Sequence, residues 1–160
     1  MPSLTRGIRS GVARFTRTKF FRSHGPTIMP PLERTFARLG GRTPLSGVLV
    51  PSLTLHTIGA KSGQERNTPL MYCPEPGGTM LVTGSNFARE THPAWTANLI
   101  ANPDATVTVR GERMRVRADR IPDDTLDETW AWIERQWPGY RGYERASGRA
   151  LRIFRLTPLV

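Results

Sequence analysis

The sequence predicts an α+β domain whose strands form a mostly antiparallel sheet. Residues 53–58 alternate between apolar and polar side chains, a glycine-containing break follows at residues 59–63, and an extended pattern resumes at residues 66–72. Residues 106–110 and 113–118 repeat this arrangement around a glycine. Alternation with period two is typical of strands joined by tight turns. At 160 residues, the chain fits one domain with a sizeable core.

The basic charge of the chain is concentrated at its N-terminal end. The formal net charge is +10, and residues 1–50 carry nine Arg and Lys residues against a single acid, Glu33. The remaining 110 residues hold fourteen basic and twelve acidic residues. Nucleic acid is a common partner of basic segments, but interleaved aromatic residues and known DNA-binding motifs are missing here, so this partner is disfavoured.

Cysteine and histidine usage limits the chemistry of the chain. Cys73 is the only cysteine, which excludes an internal disulfide and a thiolate zinc site. The histidines His24, His56 and His92 show no metal-ligand spacing, so we expect no bound metal. A reducing cytoplasm is compatible with this composition. No apolar run approaches the length of a membrane helix.

A basic amphipathic helix is predicted at residues 4–21. The apolar residues at helical spacing are Leu4, Ile8, Val12 and Phe15. Such a helix can lie on an anionic membrane surface, cover an edge of its own domain, or act as a mitochondrial-type leader. We expect residues 1–29 to form this helix and a linker, with residues 1–22 as the segment that would contact a membrane. Residues 30–160 are expected to form the domain.

The domain is expected to begin with a short helix and a run of strands. Residues 32–39 are predicted to form the helix and residues 47–58 the first long strand, in which Pro51 marks a bulge or a break in pairing. After the strand at residues 66–72, a turn rich in proline and glycine precedes a third strand at residues 79–83. Because short turns separate these strands, we expect them to pair as a meander.

A short helix and a hairpin are predicted in the middle of the chain. The helix follows Pro93 and ends at Asn102. Taken alone, core packing explains Trp95 on its apolar face, and a cap or a buried amide explains Asn98. The hairpin at residues 106–118 is expected to have one buried and one strongly basic face.

A longer helix is predicted after residues 122–124, which supply acidic residues for its N-terminus. Its core-facing stripe comprises Leu126, Trp130, Ile133 and Trp137. An irregular segment at residues 140–143 follows and places two tyrosines three residues apart. Two such side chains on a mobile loop can close over a planar ligand. Residues 151–156 are predicted to form the last strand and to close the barrel.

The break at residues 59–63 concentrates hydrogen-bond donors. Lys61 supplies an ammonium, Ser62 a hydroxyl and Arg66 a guanidinium, and the glycines free nearby backbone N–H groups. This set suits a phosphate or a carboxylate. It is not a nucleotide-binding P-loop, because the preceding glycine pattern is missing and a strand rather than a helix follows. A solvated hairpin tip with incidental charges is the alternative.

Three motifs in order resemble one known family. Residues 59–70 (GAKSGQERNTPL), 84–86 (GSN) and 92–103 (HPAWTANLIANP) together resemble the deazaflavin (F420)-dependent nitroreductase and quinone reductase family. The resemblance implies a mostly antiparallel split β-barrel, FMN-binding split-barrel-like, with flanking helices. It also implies coenzyme F420 as the cofactor, with FMN as the alternative. At Ala60 the family usually has Arg or Lys, which affects one expected phosphate contact.

The resemblance also implies which residues form the site. The implied cofactor-binding residues are Lys61, Ser62, Gly63, Arg66, Asn67, Thr68, Pro69, Ser85, Asn86, Phe87, Trp95 and Asn98. Residues 85–87 are expected to pass beside the deazaflavin ring. The candidate catalytic residues are Ser85 and Tyr140, and Ser85 would orient the cofactor or stabilise charge that develops on the reduced acceptor. The residues expected to wall the substrate pocket are Trp137, Tyr140 and Tyr143.

The implied function is hydride transfer from reduced F420 to a small planar acceptor, a quinone or a nitro compound. Few acid or base residues lie in the predicted pocket, which favours chemistry carried by a cofactor. A Rossmann dinucleotide site is unsupported, because the Gly-x-Gly-x-x-Gly motif is missing. The alternatives are an FMN-using split-barrel reductase and a non-catalytic F420-binding or membrane-surface protein. The expected location is the cytoplasm, with the inner face of the cell membrane as an alternative.

Overall fold

A computed structural model describes residues 51–137 and 139–160, with the backbone alone at Phe87. The predicted amphipathic helix, its linker and the helix at residues 32–39 lie outside the described residues. So does the first part of the strand predicted at residues 47–58.

Seven strands form one antiparallel sheet in the described part of the chain. In chain order they are β1 (Ser52–Ile58), β2 (Glu65–Met71), β3 (Cys73–Pro74), β4 (Met80–Thr83), β5 (Asp104–Val109), β6 (Glu112–Arg120) and β7 (Ile153–Pro158). Their order across the sheet is β2-β1-β5-β6-β7-β4-β3, and every neighbouring pair is antiparallel.

The sheet curls because its two outer strands belong to one extended stretch of chain. β2 and β3 lie at opposite ends of the strand order, yet Tyr72 alone separates them in sequence. Between β2 and β3, the Tyr72 N–H donates to the carbonyl of Pro51, the residue before β1, at 3.0 Å. The prediction of a mostly antiparallel split β-barrel with flanking helices is confirmed.

The pairing of β4 differs from the predicted pairing. β4 pairs with β3 and β7 rather than with β2, so the predicted meander is wrong. β7 lies between β6 and β4 and so connects the β5–β6 hairpin to β4. Consecutive strands often pair with each other. Here the chain after β2 instead continues through Tyr72 to the far end of the sheet, and strand periodicity carries no information about that choice.

The hairpin of β5 and β6 has the predicted form. Arg110 and Gly111 make its two-residue turn with φ angles of 51° and 84°, the left-handed pair that this turn needs. Val107 and Val116 are fully buried, whereas alternate arginines of β6, such as Arg115, are exposed. The basic face is therefore the solvent side of the hairpin.

Within the described residues, three α-helices flank the sheet: α1 (Ala94–Ala101), α2 (Leu126–Gln136) and α3 (Gly142–Ser147). α2 has acidic residues in its first turn and Arg135 in its last turn, the charge order that suits the helix dipole. It buries Trp130 and Ile133, as the apolar stripe predicts. Trp132 Nε1 also donates to the Pro74 carbonyl at 3.2 Å, which ties α2 to β3.

The segment at residues 140–143, predicted to be irregular, contains a turn and the start of α3. Gly139 reverses the chain with a φ of 83°. Arg141 Nε then donates to Glu144 Oε1 at 3.0 Å, a contact between residues three apart that supports the first turn of α3.

Two apolar clusters form the core of the part of the chain that the structure describes. The first fills the barrel, and its buried residues include Leu55, Val82, Trp95, Leu99, Val107, Val116 and Phe154. The second packs α2 against the sheet, and its buried residues include Cys73, Leu81, Trp130, Ile133 and Ile153. Burial raises the pKa of the Cys73 thiol to about 12, so this cysteine is an inert packing residue at neutral pH.

Candidate functional site

The loop at residues 59–63 is a tight turn closed by its own backbone. The Gly59 N–H donates to the Gln64 carbonyl and the Gly63 N–H to the Gly59 carbonyl, each at 2.8 Å. A side chain at residue 59 would overlap Ser62 Oγ, and Gly63 has a φ of +68°. The shape of the turn therefore favours glycine at both positions.

This turn presents several donors to solvent. Among residues 51–137 and 139–160, the backbone N–H groups of Lys61 and Ser62 and the Lys61 ammonium have no hydrogen-bond partner. Ser62 Oγ accepts from the Gln64 N–H at 3.3 Å and from the Arg66 guanidinium at 3.5 Å, so its own O–H remains available to donate. Backbone and side-chain donors converge here in the manner of an anion site, and they fit the phosphate of a bound cofactor.

The Asn98 side chain of α1 makes hydrogen bonds to this turn and to β1. Its Oδ1 accepts from the Ala60 N–H at 2.9 Å, and its Nδ2 donates to Thr57 Oγ1 at 3.1 Å. Asn98 is 7% exposed and Thr57 is 2% exposed. The buried-amide interpretation of Asn98 therefore holds, and the amide places the turn rather than facing solvent itself.

Because side chains alternate along a strand, the predicted cofactor-binding residues of β2 lie on both faces of the sheet. Arg66 and Thr68 lie opposite Thr57 and Leu55, which face the barrel interior, whereas Asn67 and Pro69 lie opposite His56 and Thr54. Residues directly opposite each other point to the same face of a sheet. In addition, Asn67 Oδ1 lies 2.6 Å from His56 Nδ1. Arg66 and Thr68 thus share a face, and Asn67 and Pro69 lie on the other.

The second part of the site is the segment that follows β4. Ser85 opens a single 3₁₀ turn at Asn86–Ala88. Asn86 and Ala88 have positive φ angles of 45° and 61°, a conformation that costs non-glycine residues about 1–2 kcal/mol each. Asn86 Nδ2 donates to the Thr91 carbonyl at 2.8 Å and closes the segment. Strained backbone of this kind is concentrated at functional sites.

The two predicted catalytic residues lie together. Tyr140 Oη donates to Ser85 Oγ at 3.4 Å, although 55 residues separate them in sequence. The Tyr140 ring also lies 5.2 Å from the Tyr143 ring and 6.2 Å from the Trp130 ring, measured between centroids. Ser85 is thus bordered by a row of aromatic side chains. Trp130, the buried end of this row, was predicted only as a core residue.

Trp95 is buried in the core, and Trp137 is partly buried at the end of α2. Trp95 is 5% exposed and packs in the barrel with its ring 5.8 Å from that of Phe154. Trp137 is partly buried against the α2 cluster, and its carbonyl accepts from the Tyr140 N–H at 3.1 Å. Their positions favour packing, and contact of either ring with a ligand stays a prediction.

Helix α1 supports both parts of the site. Its Asn98 holds the turn at residues 59–63, and its Thr96, together with Pro93, packs so closely on Gly84 that a Cβ there would lie 2.8 Å from Thr96 Cγ2. Thr96 and Asn98 are two residues apart. The turn at residues 59–63 and the segment at residues 84–92, called the Ser85 segment below, are therefore both attached to one short helix, at positions two residues apart.

Arg149 is a site residue that sequence reasoning missed. Its guanidinium donates to the carbonyls of Gly84 and Ser85 at 3.1 and 3.0 Å and lies 3.0 Å from His92 Nδ1. Burial, followed by the charges of Arg152, Arg149 and Arg120, lowers the pKa of His92 below the ordinary histidine value. No motif or periodicity marks this arginine among the many others in the chain.

The described residues contain no group of three metal-ligating side chains close enough to hold an ion. No helix within residues 51–137 and 139–160 is long and apolar enough to cross a bilayer.

The chain is similar to a defined group of reductases. Residues 32–158 match the sequence model of the F420H(2)-dependent quinone reductase family. A curated F420H(2)-dependent quinone reductase of Mycobacterium tuberculosis (strain H37Rv) is 33% identical over 126 residues, covering 77% of this chain and 82% of that protein. A second protein of that strain, a putative F420H(2)-dependent quinone reductase, is 31% identical over 81 residues, covering 51% of this chain and 67% of that protein.

Solved structures give the same result for the fold. The structure of an F420-H2 dependent reductase, FDR-A, superposes with a TM-score of 0.58 at 27% identity and covers 66% of this chain and 93% of its own.

Proposed function

Because the chain belongs to the F420H(2)-dependent quinone reductase family, we propose that its two-part site holds reduced F420 against a quinone. As a member of this family, the protein is an oxidoreductase that uses coenzyme F420. The observation that supports the proposal best is the attachment of two parts of the site, the turn at residues 59–63 and the Ser85 segment, to the same helix, α1. When bound, F420H2 supplies a hydride to the acceptor. The protein residues supply binding, orientation and electrostatics.

The turn at residues 59–63 is the proposed phosphate contact. Lys61 and Arg66 contribute charge, and the Lys61 and Ser62 N–H groups contribute directed donors. Ala60 does not remove the site, because its N–H is already bound to Asn98 and its side chain is exposed. Thr68 shares the face of Arg66 and extends this contact along β2. For Asn67 and Pro69, backbone contacts at the strand edge are the remaining proposal.

The Ser85 segment is the proposed ring and acceptor contact. Because Tyr140 Oη donates to Ser85 Oγ, the Ser85 hydroxyl hydrogen can point to another acceptor atom. A quinone oxygen that gains negative charge during reduction would receive this hydrogen bond. The rings of Tyr140 and Tyr143 would hold the planar acceptor at near-attack separation, about 3–3.5 Å. Asn86 and the backbone at residue 87 would border the cofactor ring.

The wider substrate and location proposals concern nitro compounds and membranes. A nitroaromatic acceptor is planar and gains charge on oxygen as a quinone does, so the same Ser85 hydroxyl suits it. The surplus of basic residues at 1–22 supports a cytoplasmic protein that associates with the inner face of the membrane. Residues 30–160 are the proposed catalytic domain.

The test is an equilibrium titration of the purified protein with F420, FMN and NADPH, followed by turnover with F420H2 and a menadione-like quinone. We expect F420 to bind most tightly and to support quinone reduction. Lys61→Ala and Arg66→Ala should each weaken F420 binding by about 1–3 kcal/mol, the range for a charge-assisted hydrogen bond. Arg115→Ala, which removes an exposed β6 charge, is the control and should bind normally. FMN binding equal to F420 binding would refute the cofactor proposal.

A further inference from the structure

Arg149 fastens the Ser85 segment to the rest of the protein. Its Nε donates to the Arg89 carbonyl at 3.0 Å, one terminal nitrogen to the Gly84 carbonyl at 3.1 Å, and the other to the Ser85 carbonyl at 3.0 Å. Two of these carbonyls begin the segment at residues 84–92, and the third lies in its second half. A planar guanidinium can make these bonds at once, whereas an ammonium cannot reproduce the fork.

A fourth contact makes this arrangement sensitive to protonation. The Arg149 guanidinium lies 3.0 Å from His92 Nδ1. Since arginine has donors only, His92 Nδ1 must be the acceptor, which requires a neutral ring with its proton on Nε2. The segment is therefore held at both ends only while His92 is neutral.

The surroundings of His92 favour the neutral ring. The charges that act on it are all cationic: Arg149 and Arg152 precede β7, and Arg120 ends β6. On its own segment, Arg89 and Glu90 are exposed to solvent. Burial and the three guanidinium charges together lower the pKa of His92. Protonation would turn Nδ1 into a donor and add a further cation beside Arg149, so the contact would break.

The segment needs such a restraint because it is strained. Asn86 and Ala88 both have left-handed backbone conformations, which persist only where neighbouring groups hold them. Ser85, which directly precedes this turn, depends on the same backbone for its position.

We propose that Arg149 is a positioning residue that, with neutral His92 as its partner, holds Ser85 in place for the acceptor. The part of this inference that concerns catalysis rests on the proposed function. The sign of the pH effect follows from the neutral ring. The restraint is complete above the ordinary histidine range and is lost as the pH falls through the lowered pKa of His92.

Hydrogen exchange of the segment tests the restraint without any cofactor. In Arg149→Lys, exchange at residues 84–92 should rise about tenfold or more at pH 7.5 relative to wild type. Arg115→Lys, the same substitution on the exposed face of β6, should leave it unchanged. In wild type, exchange corrected for its intrinsic pH dependence should rise as the pH falls through the lowered pKa of His92. His92→Asn keeps an acceptor at the Nδ1 position and cannot be protonated, so it should not show that rise. Wild-type exchange in Arg149→Lys would overturn the proposal.

Kinetics test the catalytic part. In Arg149→Lys, kcat/KM for the quinone should fall about tenfold, while the F420 dissociation constant should change less than about threefold, because the phosphate contact is elsewhere. A loosened segment with wild-type kcat/KM would overturn the role in positioning Ser85. If the wild-type protein fails to bind F420, the proposed function fails, and the exchange result still decides whether Arg149 restrains the segment.

Discussion

Replacing Asn98 with alanine tests how the turn at residues 59–63, the proposed anion-binding turn, is held. The substitution removes both hydrogen bonds of a buried amide, one to the Ala60 N–H and one to Thr57 Oγ1. The two former partners are affected differently. Ala60 is exposed, so its N–H can bond to water, whereas Thr57 is 2% exposed and its hydroxyl would lose its partner.

The expected magnitude follows from these two environments. An unsatisfied buried polar group costs about 1–3 kcal/mol, and the small cavity left by the amide adds to this. We therefore expect Asn98→Ala to lower the free energy of unfolding by about 2–4 kcal/mol. For a chain of this size, that loss corresponds to a fall in Tm of about 5–15 °C. Release of the turn should also weaken F420 binding about tenfold, or 1.4 kcal/mol.

Urea unfolding and an F420 titration below the unfolding transition measure the two effects separately. Thr57→Val is the matched control, because it removes the buried partner but leaves the bond from the Ala60 N–H to Asn98. This variant should lose about 1–2 kcal/mol of stability and bind F420 normally. If Asn98→Ala is destabilised yet binds F420 as wild type does, the turn does not depend on Asn98. If Thr57→Val weakens F420 binding as much as Asn98→Ala does, the bond from the Ala60 N–H to Asn98 is not what holds the turn for F420.

Three further outcomes are expected. Burial raises the pKa of Glu75, but hydrogen bonds from Arg155 and Thr79 together outweigh this effect and lower it. Glu75→Gln should therefore lower the free energy of unfolding at pH 7, measured with urea, by about 1–2 kcal/mol, a range already discounted for the exposure of Arg155. The difference from wild type should shrink as the pH falls below about 4.3. Tyr140→Phe should keep most of kcat/KM, because the lost bond to Ser85 is long, whereas Tyr140→Ala should lose about tenfold; equal losses would indicate a proton-donor role for the hydroxyl. Deleting residues 1–22 should reduce sedimentation with anionic vesicles at low salt and leave turnover with a soluble quinone intact, and unchanged vesicle binding would assign this segment to packing.

Much of the fold could be predicted from local patterns. The β5–β6 hairpin follows from its alternation and its turn glycine, and α2 follows from a stripe that includes Trp130 and Ile133. The position of β4 could not be predicted in this way. Whether β4 pairs with β2 or with β7 depends on contacts between residues about 70 apart in sequence, and periodicity is the same in both arrangements.

Which parts of the site could be predicted also depends on how far apart their residues are in sequence. The tight turn at residues 59–63 and its cluster of donors were predictable because these donors and the glycines are nearly consecutive in sequence. The approach of Tyr140 to Ser85 was expected only through family resemblance, since 55 residues separate them. Arg149 gave no signal, because it is one of 23 basic residues and its partners are mainly backbone carbonyls. Carbonyl acceptors are present at every residue, so the sequence cannot indicate which ones an arginine will find.

Helix α1 contacts both other parts of the site, the turn at residues 59–63 and the Ser85 segment. A helix of eight residues is about 12 Å long, and its Thr96 and Asn98 positions differ by a rise of only about 3 Å. One position packs on Gly84 and the other holds Ala60. A ligand with an anionic part and a planar part would therefore meet two contact regions whose spacing is set by one rigid element. Substitutions that shift α1 should change both contacts together, whereas substitutions at Lys61 or Ser85 should change one contact at a time.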